Sequence, residues 1–124
     1  MTALLVIVGA AIGAPLRYLT DLFVQSKHDS LMPWGTLVVN AAGSLVLGVA
    51  VGAVDAWPGH EWALALIGTG FCGALTTFST FSFETVRLIE ERAHATAALN
   101  VVLSVGVGLA ACSGGWAVAR AVLG

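Results

Sequence analysis

Four stretches of this chain are each long and apolar enough to cross a bilayer, and almost no charge interrupts them. A hydrocarbon core takes about 20 residues of helix per crossing. The stretches run from Ala3 to Val24, from Trp34 to Val54, from Trp62 to Phe83 with helical character continuing to Arg92, and from Ala95 to Val122. The connectors between them hold most of the charged residues. Trp34, Trp57 and Trp62 stand at span ends, the level at which aromatic side chains sit in a membrane. In a chain of 124 residues this leaves no length for a soluble domain. The prediction is an all-α integral membrane protein, one four-helix unit over residues 1–124.

Composition closes off the other classes. Hydrophobic residues make up 58% and charged residues 10%, less than half the roughly 25% charge of a soluble domain. Five Lys+Arg and a net charge of −2 leave no basic surface, so no nucleic-acid partner is expected. Cys72 and Cys112 alone make neither a disulfide scaffold nor a zinc site. The first basic residue is Arg17, so the first span lacks the basic opening of a cleaved signal peptide and is expected to stay as a span. The alternating ten-residue strands of a barrel are missing. Lys27, Arg87 and Arg92 fall on one side of the membrane against Arg120 on the other. That bias places loops one and three in the cytoplasm, yet it is small enough to permit insertion both ways.

Within the spans, small or polar residues recur every fourth position, which sets them on one helix face. The first span gives Gly9, Gly13 and Arg17; the second gives Thr36, Asn40, Ser44, Gly48 and Gly52; the fourth gives Asn100, Ser104, Gly108 and Cys112. Small residues let membrane helices approach closely, and packing is the expected role of the glycines. Asn40 has two readings, cross-helix packing or function, because a mid-span amide is costly to bury. Arg17, the one cation inside a span, either snorkels to the headgroups or serves a pore mouth or buried carbonyls.

The third span carries the most informative run: Gly73-Ala74-Leu75-Thr76-Thr77-Phe78-Ser79-Thr80-Phe81-Ser82-Phe83-Glu84, preceded by Gly68 and Gly70. Glycine with hydroxyl and aromatic residues makes a poor continuous helix. A break in mid-membrane survives only where the loosened backbone is buried or lines a cavity, and unwound carbonyls there can hold ions. The alternative is an unbroken packing helix rich in Ser and Thr. If the span breaks, Phe78 and Phe81 present ring edges, the positive part of the aromatic quadrupole, to an anion. Gly68-x-Gly70-x-x-Gly73 matches a dinucleotide fingerprint, but that motif has meaning only between a strand and a helix. His28, His60 and His94 are expected in separate connectors, and no nucleophile–base pair or metal-ligand spacing occurs in a span, so no enzyme is expected.

On Gly9-x-x-x-Gly13-Ala14-x-x-Arg17-Tyr18, Gly35-Thr36-Leu37-x-Val39-Asn40-x-x-Gly43-Ser44 and Gly70-Phe71-Cys72-Gly73-x-Leu75-Thr76-Thr77-Phe78-Ser79-Thr80-Phe81-Ser82 with Glu84, the chain resembles the Fluc/CrcB family of fluoride channels over essentially its whole length. The last string is the most specific. The resemblance implies passive fluoride export across a cell (inner) membrane by an antiparallel, dual-topology dimer of four-helix subunits with two pores. The dimer would be a homodimer or would include an oppositely inserted paralogue. The resemblance also implies a structural, untransported sodium ion at the dimer centre, on backbone carbonyls that match Gly73 and Thr76. Carried over residue by residue, the fluoride path would hold Asn40, Phe78 and Phe81, with Thr36, Thr77, Ser79 and Thr80 as further contributors and Arg17 at the vestibule. Some members carry a tyrosine–serine track on the fourth helix. Here that face reads Asn100, Ser104, Gly108, and only Ser104 keeps a hydroxyl.

The chemistry suits the assignment. Fluoride is small and tightly hydrated, so close amide, hydroxyl and ring-edge donors must replace its water, while a deep ring of lysine or arginine would bind too strongly for conduction. A cation on freed carbonyls would make the interior friendlier to an anion. Two rivals stand against this reading. A small dual-topology secondary transporter would use Glu84 as its coupling carboxylate, and a non-conducting membrane assembly subunit would use the hydroxyls for packing alone.

Overall fold

The computed structural model describes residues 1–27 and 31–124; the expectation for His28 lies outside them. Each apolar stretch is helical, within one or two residues of the limits set by hydropathy. The first two spans are α1, Thr2–Gln25, and α2, Trp34–Ala56. Pro15 lies within α1, which membrane helices tolerate because neighbours and local adjustment satisfy the backbone group it frees.

The third span is made of two pieces. Residues 61–75 form one rod, here α3, built from an α-turn at Glu61–Ala63, a wide π-helical stretch at Leu64–Cys72 and a last α-turn at Gly73–Leu75. Two extended residues follow, and then α4, Phe78–Glu90. The fourth span is α5, His94–Leu123. His94 therefore opens a helix instead of lying in the turn before it. The turn itself is tight: Ala93 N–H reaches back to Leu88 O at 2.8 Å and Arg92 N–H to Ile89 O at 3.0 Å. Arg92 takes the left-handed conformation there, φ 61°, at the position after a helix where glycine is commonest.

The order of contacts fixes the arrangement. A Cβ on Gly9 would overlap the Leu66 carbonyl oxygen, one on Gly13 the Phe71 carbonyl oxygen, and Arg17 lies farther along at Thr76. So α1 and α3 run parallel and nearly backbone to backbone. In the same way Gly48 abuts the Cys112 carbonyl and Gly52 the Trp116 carbonyl, so α2 and α5 run parallel. Near the end of that pair Trp116 Nε1 donates to Asp55 Oδ2 at 3.0 Å. Lipid gives helices no hydrophobic reason to associate, so close van der Waals approach and interhelical hydrogen bonds hold them. The stripes of four are that approach. Off the stripe, by contrast, a Cβ on Gly106 or Gly114 would meet nothing within 4 Å. All four spans are long and apolar enough to cross a membrane.

Candidate functional site

The break in the third span sits at Thr76 and Thr77, whose backbones are extended (φ −80°, ψ 161° and φ −151°, ψ 123°). The predicted interruption is present. Asn40, from the second turn of α2, holds it open. Its Nδ2 donates to Thr77 O at 3.0 Å, and Thr77 N–H donates to its Oδ1 at 2.7 Å. One carboxamide thus satisfies both backbone groups of one residue, as a neighbouring strand would. Thr77 also caps α4, its Oγ1 accepting from Thr80 N–H at 3.2 Å.

Those two diversions have a consequence for the carbonyls. In a continued α-helix Thr77 N–H would serve Gly73 O, and Thr80 N–H would serve Thr76 O. Here the first donor is on Asn40 and the second on the Thr77 hydroxyl. Gly73 and Thr76 carbonyls therefore lose their helical partners. The Thr76 hydroxyl folds back onto Cys72 O at 2.8 Å, and Arg17 Nη1 lies 3.5 Å from Thr76 O. Arg17 thus lies against a half-buried carbonyl at the break. Gly43 makes the room, since a Cβ there would run into the Thr76 methyl.

Beside the break lies a cavity of about 390 Å³ lined by Asn40, Thr76, Thr77, Phe78, Phe81 and Ser104, with Gly73 at its edge. Among the described residues no charged side chain lines it. The two phenylalanine rings are 5.9 Å apart and tilted by 45°. Phe78 is 79% exposed, so this wall faces outward from the subunit. Asn40 has two amide N–H groups, and Thr77 O takes one of them.

A second cleft, about 190 Å³, lies on the other side of Thr77 and holds Arg17, Thr36 and Thr80 together with Asp21. The Thr36 hydroxyl donates to Glu84 Oε1 at 2.5 Å. Glu84 in turn lines a more polar cavity of about 350 Å³ with Gln25, Arg87 and Glu91. Thr77 lines the first two openings, and the Thr36–Glu84 hydrogen bond joins the cleft to the third. The predicted residues divide accordingly. Asn40, Thr77, Phe78, Phe81 and Ser104 share the first cavity, Thr36 and Thr80 belong to the cleft, and Ser79 lines none of the three. Its hydroxyl lies 3.4 Å from that of Thr77. Of the polar face read on α5, Ser104 reaches the cavity, beside Val105; Gly108 lies against Ser44, and Asn100 is buried at 1% exposure with its Nδ2 on Thr85 Oγ1. Sequence reasoning missed Thr85 altogether and treated Glu84 only as a coupling carboxylate. A carboxylate directly at the end of an apolar run, in a helix that continues past it, needs a donor, and that need is the available signal.

The model of the CrcB-like protein, Camphor Resistance (CrcB) family matches residues 4–116. The chain belongs to the CrcB family. Similar curated proteins of this family include Fluoride-specific ion channel FluC 1 of Frankia casuarinae, 54% identical with all of both chains covered. Fluoride-specific ion channel FluC 1 of Streptomyces avermitilis is 54% identical over 94% of each chain. A more distant CrcB relative, Fluoride-specific ion channel FluC of Bordetella petrii, is 45% identical over 96% of this chain and 91% of its own. With four helices fit to span a membrane, this CrcB chain is a multi-pass membrane protein.

Proposed function

We propose that this protein is a fluoride-selective channel that lets fluoride leave the cell passively across the inner membrane, lowering its cytoplasmic toxicity. The relatives' names support the ion. The observation that carries the mechanism is the uncharged cavity at the helix break, lined by the Asn40 amide, which keeps one N–H beyond its bond to Thr77 O, and by the Phe78–Phe81 pair. Donors without formal charge can replace the water of a small anion and still release it. The Thr36–Thr80 cleft and the Arg17 side chain offer the next polar contacts beyond Thr77.

The working unit is an antiparallel dimer, either of two identical chains or with an oppositely inserted paralogue. A ring as exposed as Phe78, on a cavity wall, supports a second subunit completing the lining. Sodium fits the break chemically: Gly73 and Thr76 offer carbonyl oxygens freed of helical donors, the hard ligands such a cation takes. Two oxygens are too few for a cation, and a two-fold-related copy would bring two more. When bound, the ion would supply a fixed positive charge near the anion path, while Arg17 already places a guanidinium beside Thr76 O.

The test is halide efflux from liposomes containing the purified protein. Fluoride should leave electrogenically, independent of a proton gradient, and chloride should be retained. Flux that follows the proton gradient would instead favour a secondary transporter working through Glu84. Absence of any anion leak would favour the assembly subunit.

A further inference from the structure

Asn100 is the most thoroughly buried polar side chain among the described residues, at 1% exposure, and it lines none of the three openings. In a membrane a buried amide without partners is costly, so its hydrogen bonds decide its role. They form a directed chain. Ser104 Oγ donates to Asn100 Oδ1 at 3.4 Å, Asn100 Nδ2 donates to Thr85 Oγ1 at 2.9 Å, and Thr85 Oγ1 donates to Phe81 O at 2.8 Å. The Thr85 hydroxyl has one proton, which goes to Phe81, so it can only accept from Asn100. Both ends of the chain are cavity residues: Ser104 on α5 and Phe81 on α4.

We infer that Asn100 and Thr85 are positioning residues of the ion path, tying the Phe81 wall on α4 to the Ser104 wall on α5. This rests on the reading of Phe81 as part of that path. The relay has a mechanical rationale. α4 is held at its start by the Asn40–Thr77 clamp and at its end by the turn through Arg92. Asn100 pins it between these points, one turn beyond Phe81. A hydroxyl that bonds to the carbonyl four residues back tends to bend a helix, and here the carbonyl it takes belongs to Phe81 itself. Loss of the relay would leave the ring in place by packing alone, free to shift by the fraction of an ångström that separates a good edge-on contact with fluoride from a poor one.

The experiment measures fluoride efflux per folded protein, taken from the size-exclusion peak, for full-length variants in liposomes. Thr85→Val keeps the shape and removes the hydroxyl; Thr85→Ser keeps the hydroxyl; Asn100→Leu keeps the volume and removes the amide; Phe81→Ile reports on the path itself. T85V and N100L should each slow flux by about fivefold, the worth of one ordinary hydrogen bond. T85S should stay near wild type, and the T85V/N100L pair should be no worse than its slower member, because both remove one relay. A merely structural role would lower the yield of folded protein and leave its rate unchanged. Impaired F81I with wild-type rates in T85V and N100L overturns the positioning role alone; T85S as slow as T85V does so too. Wild-type flux in F81I overturns the path reading and the relay together. Should N100L fail to assemble, the T85V and T85S comparison decides by the same criteria.

Discussion

The carboxamide of Asn40 faces two demands at once. It fills both backbone groups of Thr77 and still borders the cavity. Asn40→Asp separates these duties. The carboxylate can go on accepting from Thr77 N–H, but Thr77 O then faces an anion instead of a donor. An unsatisfied buried acceptor costs about 1–3 kcal/mol, and a fixed negative charge in the lining opposes fluoride. Flux should fall by at least about tenfold, since 1.4 kcal/mol is a factor of ten; a liposome assay giving wild-type throughput would return Asn40 to a packing role. From sequence Asn40 stood out as a polar residue in a span without charge. Its partner, a main-chain group 37 positions away, left no trace in composition or spacing. Arg17 is similar: its presence in the span was plain, and its contact with Thr76 O needed the fold.

At the scale of elements, the spans could be read from the sequence because a bilayer demands apolar length and the connectors carry the charge. The break could be read because Gly73, Thr76 and Thr77 withdraw support from a helix just where Phe78 begins a new one capped by Thr77. The π-winding over Leu64–Cys72 could not, since an apolar run with glycines at positions 68 and 70 suits either pitch. Which helices pair was hidden as well, because three of the spans have a stripe of small or polar residues and the third span has glycines of its own. The contact of α2 with α5 makes the distinction testable. Gly48→Val would drive a side chain into the Cys112 backbone, and overpacking of this kind costs about 1–3 kcal/mol. Gly114→Ala points into open space and should leave stability unchanged or raise it by up to about 1 kcal/mol, alanine being the better helix former. Thermal unfolding in detergent would compare them, and equal midpoints would contradict the close parallel pair.

For the whole molecule, the proposed dimer and its central sodium give a prediction with two readouts. Exchange of sodium for a large organic cation throughout purification should lower both the unfolding midpoint and fluoride flux, because a ligand that binds only the folded assembly stabilises it. If both quantities survive exhaustive exchange, the carbonyls of Gly73 and Thr76 have another role. The subunit has little interior to draw on: only 11% of the apolar window of α5 is buried within it. Its cohesion lies where glycine lets one main chain rest on another, as Gly9 does on Leu66 and Gly48 on Cys112. A saturation survey of tolerated substitutions should therefore invert the pattern familiar from water-soluble cores. The bulkiest aliphatic positions, turned toward lipid tails, would accept almost any greasy replacement, and the residues with least to lose by volume would be the least replaceable.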